Sequence, residues 1–356
     1  MRKLKMNLLD QISSFFNKND LVGKNESNDS SSTSNSVSRQ NISCPNNGSN
    51  QHVLDFSETP SKLTTTNEQL LIEQEGKPPV SIPYSEIAVI IISHNQVSLA
   101  QSVMQNLAEN GCMLTICDRK YRPVCMMLPL DSHSLPSQRL QIQIEASLPQ
   151  KKNAWQQIIR AKIKSQAKLL LASREEDHGL LAMAERVKSG DPENVEAHAA
   201  RRYWQYLFDG DVEFRRQQDG NDPLNIRLNY GYAVLRSIVA RAVCATGFHP
   251  AIGLHHHNKY NPFCLADDLM EPFRPQVDRL VCIQYIRSKI KHKKLSRALT
   301  TEVKKELIEP LTGRFDVDGE NRKLFDVIST TAHSLVRFFA KEIDSLYLPI
   351  IDDLPK

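Results

Sequence analysis

After residue 53, the spacing of apolar residues changes near residue 130 from short strand-like runs to helical periodicity. Over residues 54–130 the sequence predicts several strands, two of them around an Asn67-Glu68 turn and one in the β-branched run EIAVIIIS. One helix, LAQSVMQNLAENG, interrupts the strands, with Ser98 as its expected N-cap and Gly111 at its expected end. We therefore predict a small N-terminal β-rich domain that contains one helix.

Helical periodicity follows the polar segment DSHSLPSQ, which we interpret as a linker over 131–138. In AWQQIIRAKIKSQAKLLL, Trp155, Ile158 and Ile163 fall on one helical face. VEAHAARRYWQYLF, LNYGYAVLRSIVARAVCATG and TTAHSLVRFFAKEI are further amphipathic segments. The predicted fold class is α+β, in which the β-rich domain precedes a larger all-α domain over 139–356.

The first part of the chain, residues 1–53, has a different composition. From residue 21 onward it is rich in Ser, Asn and Asp, as in NESNDSSSTSNSVS, and offers too little apolar surface to offset chain entropy. Before that stretch, apolar residues recur every four positions from Leu4 to Phe16, which favours a short amphipathic helix over a signal peptide. We predict a disordered extension with one short helix.

Composition narrows the class of protein without fixing it. The 356 residues carry a formal charge of +4, which permits nucleic-acid binding but does not require it. The seven cysteines form no CxxC pair, so a zinc ribbon is disfavoured, and their odd number argues against a secreted disulfide framework. No run approaches the ~20 apolar residues of a membrane span. We expect a cytoplasmic bacterial protein that does not enter the membrane.

Three segments place metal-binding residue types in apolar surroundings. They are ENVEAHAARRYW with Glu196, GLHHHNKYN with the consecutive histidines 255–257, and LADDLMEPFRP with Asp268 and Glu271. Taken singly, each of these residues is more often a solvated side chain than a ligand. Two carboxylates and one imidazole together suit Mg²⁺ or Mn²⁺ better than zinc.

Basic residues concentrate in two runs, KKNAWQQIIRAKIKSQAK and RSKIKHKKLSR. Charge runs are usually solvated faces, but beside a metal-type triad they favour binding to a phosphate backbone. The candidate DNA contacts are Lys162, Arg201, Arg202, Arg274, Lys291, Lys293 and Lys294.

Taken in order, AWQQIIRAKIKSQA, ENVEAHAARRYW, LNYGYAVLRSIVARAV, GLHHHNKYN and LADDLMEPFRP resemble the CRISPR-associated adaptation integrase, and most closely its type II branch. That family is the catalytic subunit which inserts new spacers into a CRISPR array. The resemblance runs from Leu54 to the C-terminus, and the residues before Leu54 have no counterpart. It implies a β-rich dimerisation domain over 54–130 and a catalytic, DNA-binding domain over 139–356.

The resemblance also assigns roles to single residues. It implies that Glu196, His256 and Glu271 are the catalytic metal ligands for Mg²⁺ or Mn²⁺, with Asp268 beside them. His255 and His257 are then not ligands. The implied reaction is transesterification, in which a DNA 3′-hydroxyl attacks a phosphodiester at the edge of a repeat.

The implied partners are double-stranded DNA, both spacer precursor and CRISPR repeat, and a second copy of the chain. Two such homodimers are expected to join a dimer of the small companion adaptation protein in a heterohexamer, and the type II effector machinery is a further candidate partner. Two other functions remain open at this point. One is a metal-dependent nuclease acting on branched or single-stranded DNA, and the other is a non-catalytic DNA-binding scaffold.

Overall fold

The computed structural model describes residues 52–118, 123–127, 136–208 and 214–351. The predicted extension over 1–53 therefore lies outside the described residues, except for its last two, which belong to the first strand. The strands of the N-terminal part are β1 (His52–Phe56), β2 (Ser61–Thr66), β3 (Gln69–Glu73), β4 (Val80–Pro83), β5 (Ile87–Ile92), β6 (Val97–Leu99), β7 (Met113–Cys117) and β8 (Pro123–Met127).

These strands form two four-stranded sheets, with the strand orders β1-β5-β7-β8 and β4-β3-β2-β6. All six residues of β5 are buried, as expected for a β-branched strand covered on both faces. The turn between β2 and β3 is made by Asn67 and Glu68, both with positive φ (46° and 59°), the conformation of a two-residue hairpin turn. The predicted N-terminal β-rich region and its Asn67-Glu68 turn are confirmed.

The single helix of this region, α1 (Gln101–Glu109), begins later than predicted. Ser98 is not its N-cap, because Val97–Leu99 pairs in parallel with β2 and belongs to a strand. Ala100 occupies the N-cap position and makes no side-chain cap. The predicted end was right: Gly111 has a φ of 66°, the left-handed conformation that commonly follows a helix.

The helices that follow are α2 (Pro136–Glu145), α3 (Leu148–Arg174), α4 (Leu180–Arg186), α5 (Val195–Leu207), α6 (Pro223–Ala245), α7 (Cys264–Met270), α8 (Arg274–Ile290), α9 (Thr301–Thr312) and α10 (Leu324–Phe339). A 3-10 turn, Glu271–Phe273, joins α7 to α8. The last three residues of the predicted linker, 136–138, are the first turn of α2. A proline is tolerated there because the first helical N–H has no acceptor within the helix. Residues 128–135 lie outside the described residues.

The prediction that everything after the linker is helical was wrong at one place. Strands β9 (Arg314–Val317) and β10 (Glu320–Lys323) form an antiparallel hairpin. Its turn is Asp318-Gly319, with φ values of 54° and 82°, and Phe315 and Val317 alternate inward along β9. An Asp-Gly pair beside an alternating run is a strong hairpin signal, and it overrode the helical pattern on either side.

One hydrophobic core joins the first sheet to the helices. Val89, Ile91 and Met113 belong to the same buried cluster as the helical residues, whereas Ile90 and Ile92 face the second sheet, because neighbouring strand residues point to opposite faces. The contact is also polar: Arg241 Nε of α6 donates to the Gly111 carbonyl oxygen over 2.9 Å. The sheet is therefore packed directly on α6.

The helix that organises the site is α3. Its start is fixed by a capping box between Ser147 and Gln150. Trp155, Ile158 and Ile163 are buried along one face, as the periodicity predicted. Among the described residues, no helix combines the length and the apolar character needed to cross a bilayer.

Candidate active site

Glu271 is a buried acid of the site, in the 3-10 turn between α7 and α8, where its residue is 5% exposed. Arg274 Nε donates to its Oε1 over 2.8 Å, and Lys162 Nζ lies 2.6 Å from its Oε2. Burial alone would raise the pKa of Glu271, but the Arg274 guanidinium and the Lys162 ammonium bring it down to about 2. Glu271 is therefore a carboxylate at neutral pH.

Glu196 approaches the same point from α5. The Asp191 carboxylate accepts hydrogen bonds from the backbone N–H groups of Val195 and Glu196, each 2.9 Å long, and so holds the first turn of α5 in place. The Glu196 side chain is 26% exposed, and its Oε1 lies 2.5 Å from Lys162 Nζ. Two carboxylates from separate elements thus converge on one ammonium group.

Lys162 is the centre of this arrangement. Its side chain is 9% exposed, on the inner face of α3. Burial alone would lower the pKa of Lys162, but the charges of Glu271 and Glu196 raise it above its ordinary value, so the ammonium is retained. The sequence prediction treated Lys162 as a DNA contact, whereas here both of its short contacts are to the two acids. Its position seven residues after Trp155, on the apolar stripe of α3, was a signal of burial.

The imidazole of the site is held by a third acid, Asp268. Asp268 is fully buried; its Oδ2 accepts from the backbone N–H groups of Leu254 and His255, and its Oδ1 lies 2.5 Å from His256 Nδ1. This hydrogen bond raises the pKa of His256. A carboxylate that accepts from Nδ1–H leaves Nε2 as the free ligand nitrogen, the arrangement common around metal-binding histidines. Asp268 therefore positions both the loop and the ring of His256.

The loop that carries the histidines is tightly packed. A Cβ added to Gly253 would lie 2.4 Å from the His256 carbonyl oxygen, so only glycine fits there. The His255 ring stacks on Trp155 with centroids 4.3 Å apart, and the His256 ring meets the same indole edge-on at 5.8 Å. His255 thus packs against α3.

The structure brings together two of the three residues predicted as metal ligands and pairs the third with Asp268. Glu196 and Glu271 meet at Lys162, and His256 is paired with Asp268. Among the described residues, no three His, Cys, Asp or Glu side chains are grouped closely enough to hold a metal ion as they stand. The Lys162 ammonium instead occupies the point where the two carboxylates meet. These two carboxylates with one imidazole are a donor set that fits Mg²⁺ or Mn²⁺.

A buried polar cluster behind the site was not predicted from the sequence. Asp278 accepts hydrogen bonds from the hydroxyl groups of Tyr203 and Tyr232, and burial raises the pKa of Asp278 to about 6. The Arg274 guanidinium lies over the Tyr232 ring, 4.6 Å from its centroid. Arg274 is therefore held by this cluster as well as by Glu271. Asp278 is 75 and 46 residues from its two tyrosine partners in sequence, so local patterns carry no sign of these contacts.

The remaining candidate DNA contacts differ in accessibility. Arg274 is engaged by Glu271 and Tyr232 and is only partly exposed. Arg201 and Arg202 are exposed on α5, where Arg202 donates to the His178 carbonyl oxygen. The lysines Lys291, Lys293 and Lys294 are exposed just after the end of α8. Only these exposed groups could meet a phosphate without rearrangement.

Comparison with known proteins gives a consistent relationship. Residues 56–312 match the family CRISPR associated protein Cas1. The chain is 37% identical to a CRISPR-associated endonuclease Cas1 of Neisseria meningitidis serogroup C (strain 8013), over 73% of this chain and 83% of the relative.

Two solved structures share the fold. A casposase bound to an integration product superposes with a TM-score of 0.70 at 20% identity, covering 83% of this chain and 92% of the casposase. A chain of a Cas6-RT-Cas1–Cas2 complex gives 0.70 at 19% identity, covering 88% of this chain and 37% of that longer chain. The family match and the neisserial relative together establish that this chain is a member of the CRISPR-associated Cas1 family.

Proposed function

We propose that this chain is the DNA integrase of CRISPR adaptation, and that it needs a divalent metal ion. It would join the 3′-hydroxyl of a spacer precursor to a phosphodiester at the edge of a repeat. The observation that carries the proposal is the convergence of Glu196 and Glu271 on one enclosed cation, next to an imidazole held by Asp268. A site built around a cation between two carboxylates suits phosphoryl transfer, in which charge on the phosphodiester must be neutralised.

Glu196, His256 and Glu271 are the residues that would hold Mg²⁺ or Mn²⁺. Such an ion would supply charge neutralisation at the phosphodiester and a lowered pKa for the attacking hydroxyl. The chain's own groups do the positioning. Asp268 fixes the ring orientation of His256, and Arg274 holds one oxygen of Glu271 so that the other stays directed at the site.

The exposed lysines after α8 would hold DNA by its phosphates, which sets position but not sequence preference. We also propose the assembly: a homodimer formed through the β-rich region, and two such dimers bridged by a Cas2 dimer in a heterohexamer that binds double-stranded DNA. The structural neighbour from a Cas1–Cas2 complex supports the Cas2 partner. We further propose a contact with the type II effector machinery.

The second candidate is hydrolysis of branched or single-stranded DNA at the same site, with water in place of the 3′-hydroxyl. It is favoured by the neisserial relative, which is named an endonuclease. The integrase proposal is supported by the fold shared with a casposase solved with an integration product. The two reactions differ in one product: only integration yields a strand longer than the labelled substrate.

The test is a joining assay with the purified chain and its Cas2 partner. A labelled spacer duplex and a plasmid carrying the repeat are incubated with Mn²⁺, with Mn²⁺ plus EDTA, and with a 3′-deoxy spacer as the matched control. We expect label in the plasmid only with Mn²⁺ and a free 3′-hydroxyl. Shortened strands alone, unaffected by the 3′-deoxy end, would identify a nuclease, and joining in EDTA would remove the metal from the mechanism.

A further inference from the structure

Two acids and two basic side chains of the site form a set whose charges balance without any added ion. Glu196 and Glu271 each contribute one negative charge, while Lys162 and Arg274 contribute two positive charges, and each of the four makes at least one ion pair within the set. Both carboxylates therefore already have cationic partners within the chain.

The two cations differ in where they lie. Arg274 is three residues after Glu271, pairs with that acid, and lies over the Tyr232 ring. Lys162 comes from another helix and is shared, with its Nζ 2.5 Å from Glu196 Oε1 and 2.6 Å from Glu271 Oε2. Its ammonium fills the point at which the two carboxylates meet. An ion bound by both acids would need that same point.

We propose that Lys162 is a built-in competitor for the divalent ion: it holds Glu196 and Glu271 together in the metal-free chain and leaves their shared position when the ion binds. This inference rests on the proposed metal site. Lysine suits the task, because its compact ammonium sits on a flexible four-carbon stem that can withdraw without moving the helix. Lys162 therefore weakens metal binding while it stabilises the metal-free site.

The competition gives removal of Lys162 two opposite effects. Without the ammonium, the two carboxylates repel each other, and Glu271 loses one of its two partners in a buried position, so the metal-free chain should be less stable. The ion, however, no longer has to displace a bound cation. Because binding stabilises the folded state according to its affinity, the variant should gain more thermal stability from metal than the natural chain does.

The test compares Lys162→Met with Lys164→Met in the full chain without DNA. Lys164 is the matched control, because it lies on the same helix and pairs with Glu185 at the surface. Mn²⁺ binding is measured by titration calorimetry, and the melting temperature is measured in EDTA and in Mn²⁺. For Lys162→Met we expect at least tenfold tighter Mn²⁺ binding, a lower melting temperature in EDTA and a larger rise with Mn²⁺; Lys164→Met should match the natural chain.

A second measurement uses the natural chain, in case Lys162→Met does not fold. Reductive methylation followed by mass spectrometry reports how accessible each lysine is, and Mn²⁺ should increase the labelling of Lys162 but not of Lys164. Equal or weaker Mn²⁺ binding by Lys162→Met, or unchanged labelling of Lys162 at saturating Mn²⁺, would overturn the role of Lys162 and leave the metal site standing. Absence of Mn²⁺ binding in the natural chain and in both variants would overturn the metal site and this inference with it.

Discussion

At the scale of single residues, the two carboxylates of the site are not equivalent. Glu196 is partly exposed, and its loss leaves Lys162 still paired with Glu271. Glu271 is buried between two cations, and its loss leaves both of them without this partner. Replacing Glu196 should therefore affect function with little effect on stability, whereas replacing Glu271 should affect both.

We expect Glu196→Gln to reduce strand joining by about 100-fold or more, because a metal ligand acts as part of a unit, with little change in stability. Glu271→Ala should abolish joining and also lower the free energy of unfolding by about 3 kcal/mol or more, as expected when one partner of a buried ion pair is removed. Joining assays and denaturant unfolding on both variants check this. Substantial joining by either variant would exclude that residue from the catalytic set.

The three consecutive histidines give a second prediction. His256→Ala should abolish joining, because it removes the ring that Asp268 positions. His255→Ala loses the stack on Trp155 and an edge-on contact with the His256 ring, and it should reduce the rate modestly. His257→Ala should be the mildest. The joining rate of the three variants, at equal concentration and saturating Mn²⁺, decides the order. A larger loss for His257→Ala than for His256→Ala would show that the ligand histidine is misassigned.

At the scale of elements, the polar cluster formed by residues of α5, α6 and α8 couples stability to pH. Burial raises the pKa of Asp278 to about 6 from an ordinary value of 3.8, so folding favours its protonated form. The stability it contributes is fully present below about pH 3.8 and is lost as the pH rises through about 6. Asparagine cannot ionise, so Asp278→Asn should not lose this stability as the pH rises.

From about pH 4.5 to about pH 8, the free energy of unfolding of Asp278→Asn should improve relative to the natural chain by about 2 kcal/mol, at 1.36 kcal/mol per pKa unit. Urea unfolding at several pH values measures the difference, with Asp344→Asn as a control at an exposed acid. A pH-independent difference between Asp278→Asn and the natural chain would contradict a raised pKa.

The elements that could be predicted from the sequence are those whose pattern is local. The run EIAVIIIS became the buried strand β5, and the stripe from Trp155 to Ile163 became the inner face of α3. The β9–β10 hairpin was not predicted, although Asp318-Gly319 is a hairpin turn signal, because the segments on both sides have helical periodicity. The predicted N-cap at Ser98 failed because strand pairing with β2, a tertiary contact, decides where α1 begins.

For the site, the sequence predicts a set of residues but not their geometry. Family resemblance placed Glu196, His256 and Glu271, and the structure adds what the sequence could not: which cation each acid faces. The Lys162 contacts join residues 34 and 109 positions apart, and such separations leave no trace in a local pattern. Whether the triad binds a metal ion stays a prediction.

At the scale of the whole molecule, substitution of the exposed lysines after α8 should distinguish DNA binding from catalysis. Replacing Lys291, Lys293 and Lys294 together by glutamine should weaken DNA binding and flatten its salt dependence by about 0.9 in log–log slope for each lost phosphate contact. At saturating DNA the joining rate should recover, because these lysines are not among the residues grouped around Glu271. Titration of labelled DNA at several salt concentrations decides it, and an unchanged slope would mean that this run does not touch phosphate.

The packing of the first sheet on α6 limits how this protein can be divided. Val89 and Met113 of the sheet fill the same core as the helices, so neither part has a complete interior by itself. We expect a single calorimetric melting transition rather than two, since the β-rich and helical parts cannot unfold independently. A helical fragment expressed from residue 136 onward would present the sheet-facing side of α6 to water and should be recovered soluble only when the β-rich fragment is co-expressed with it.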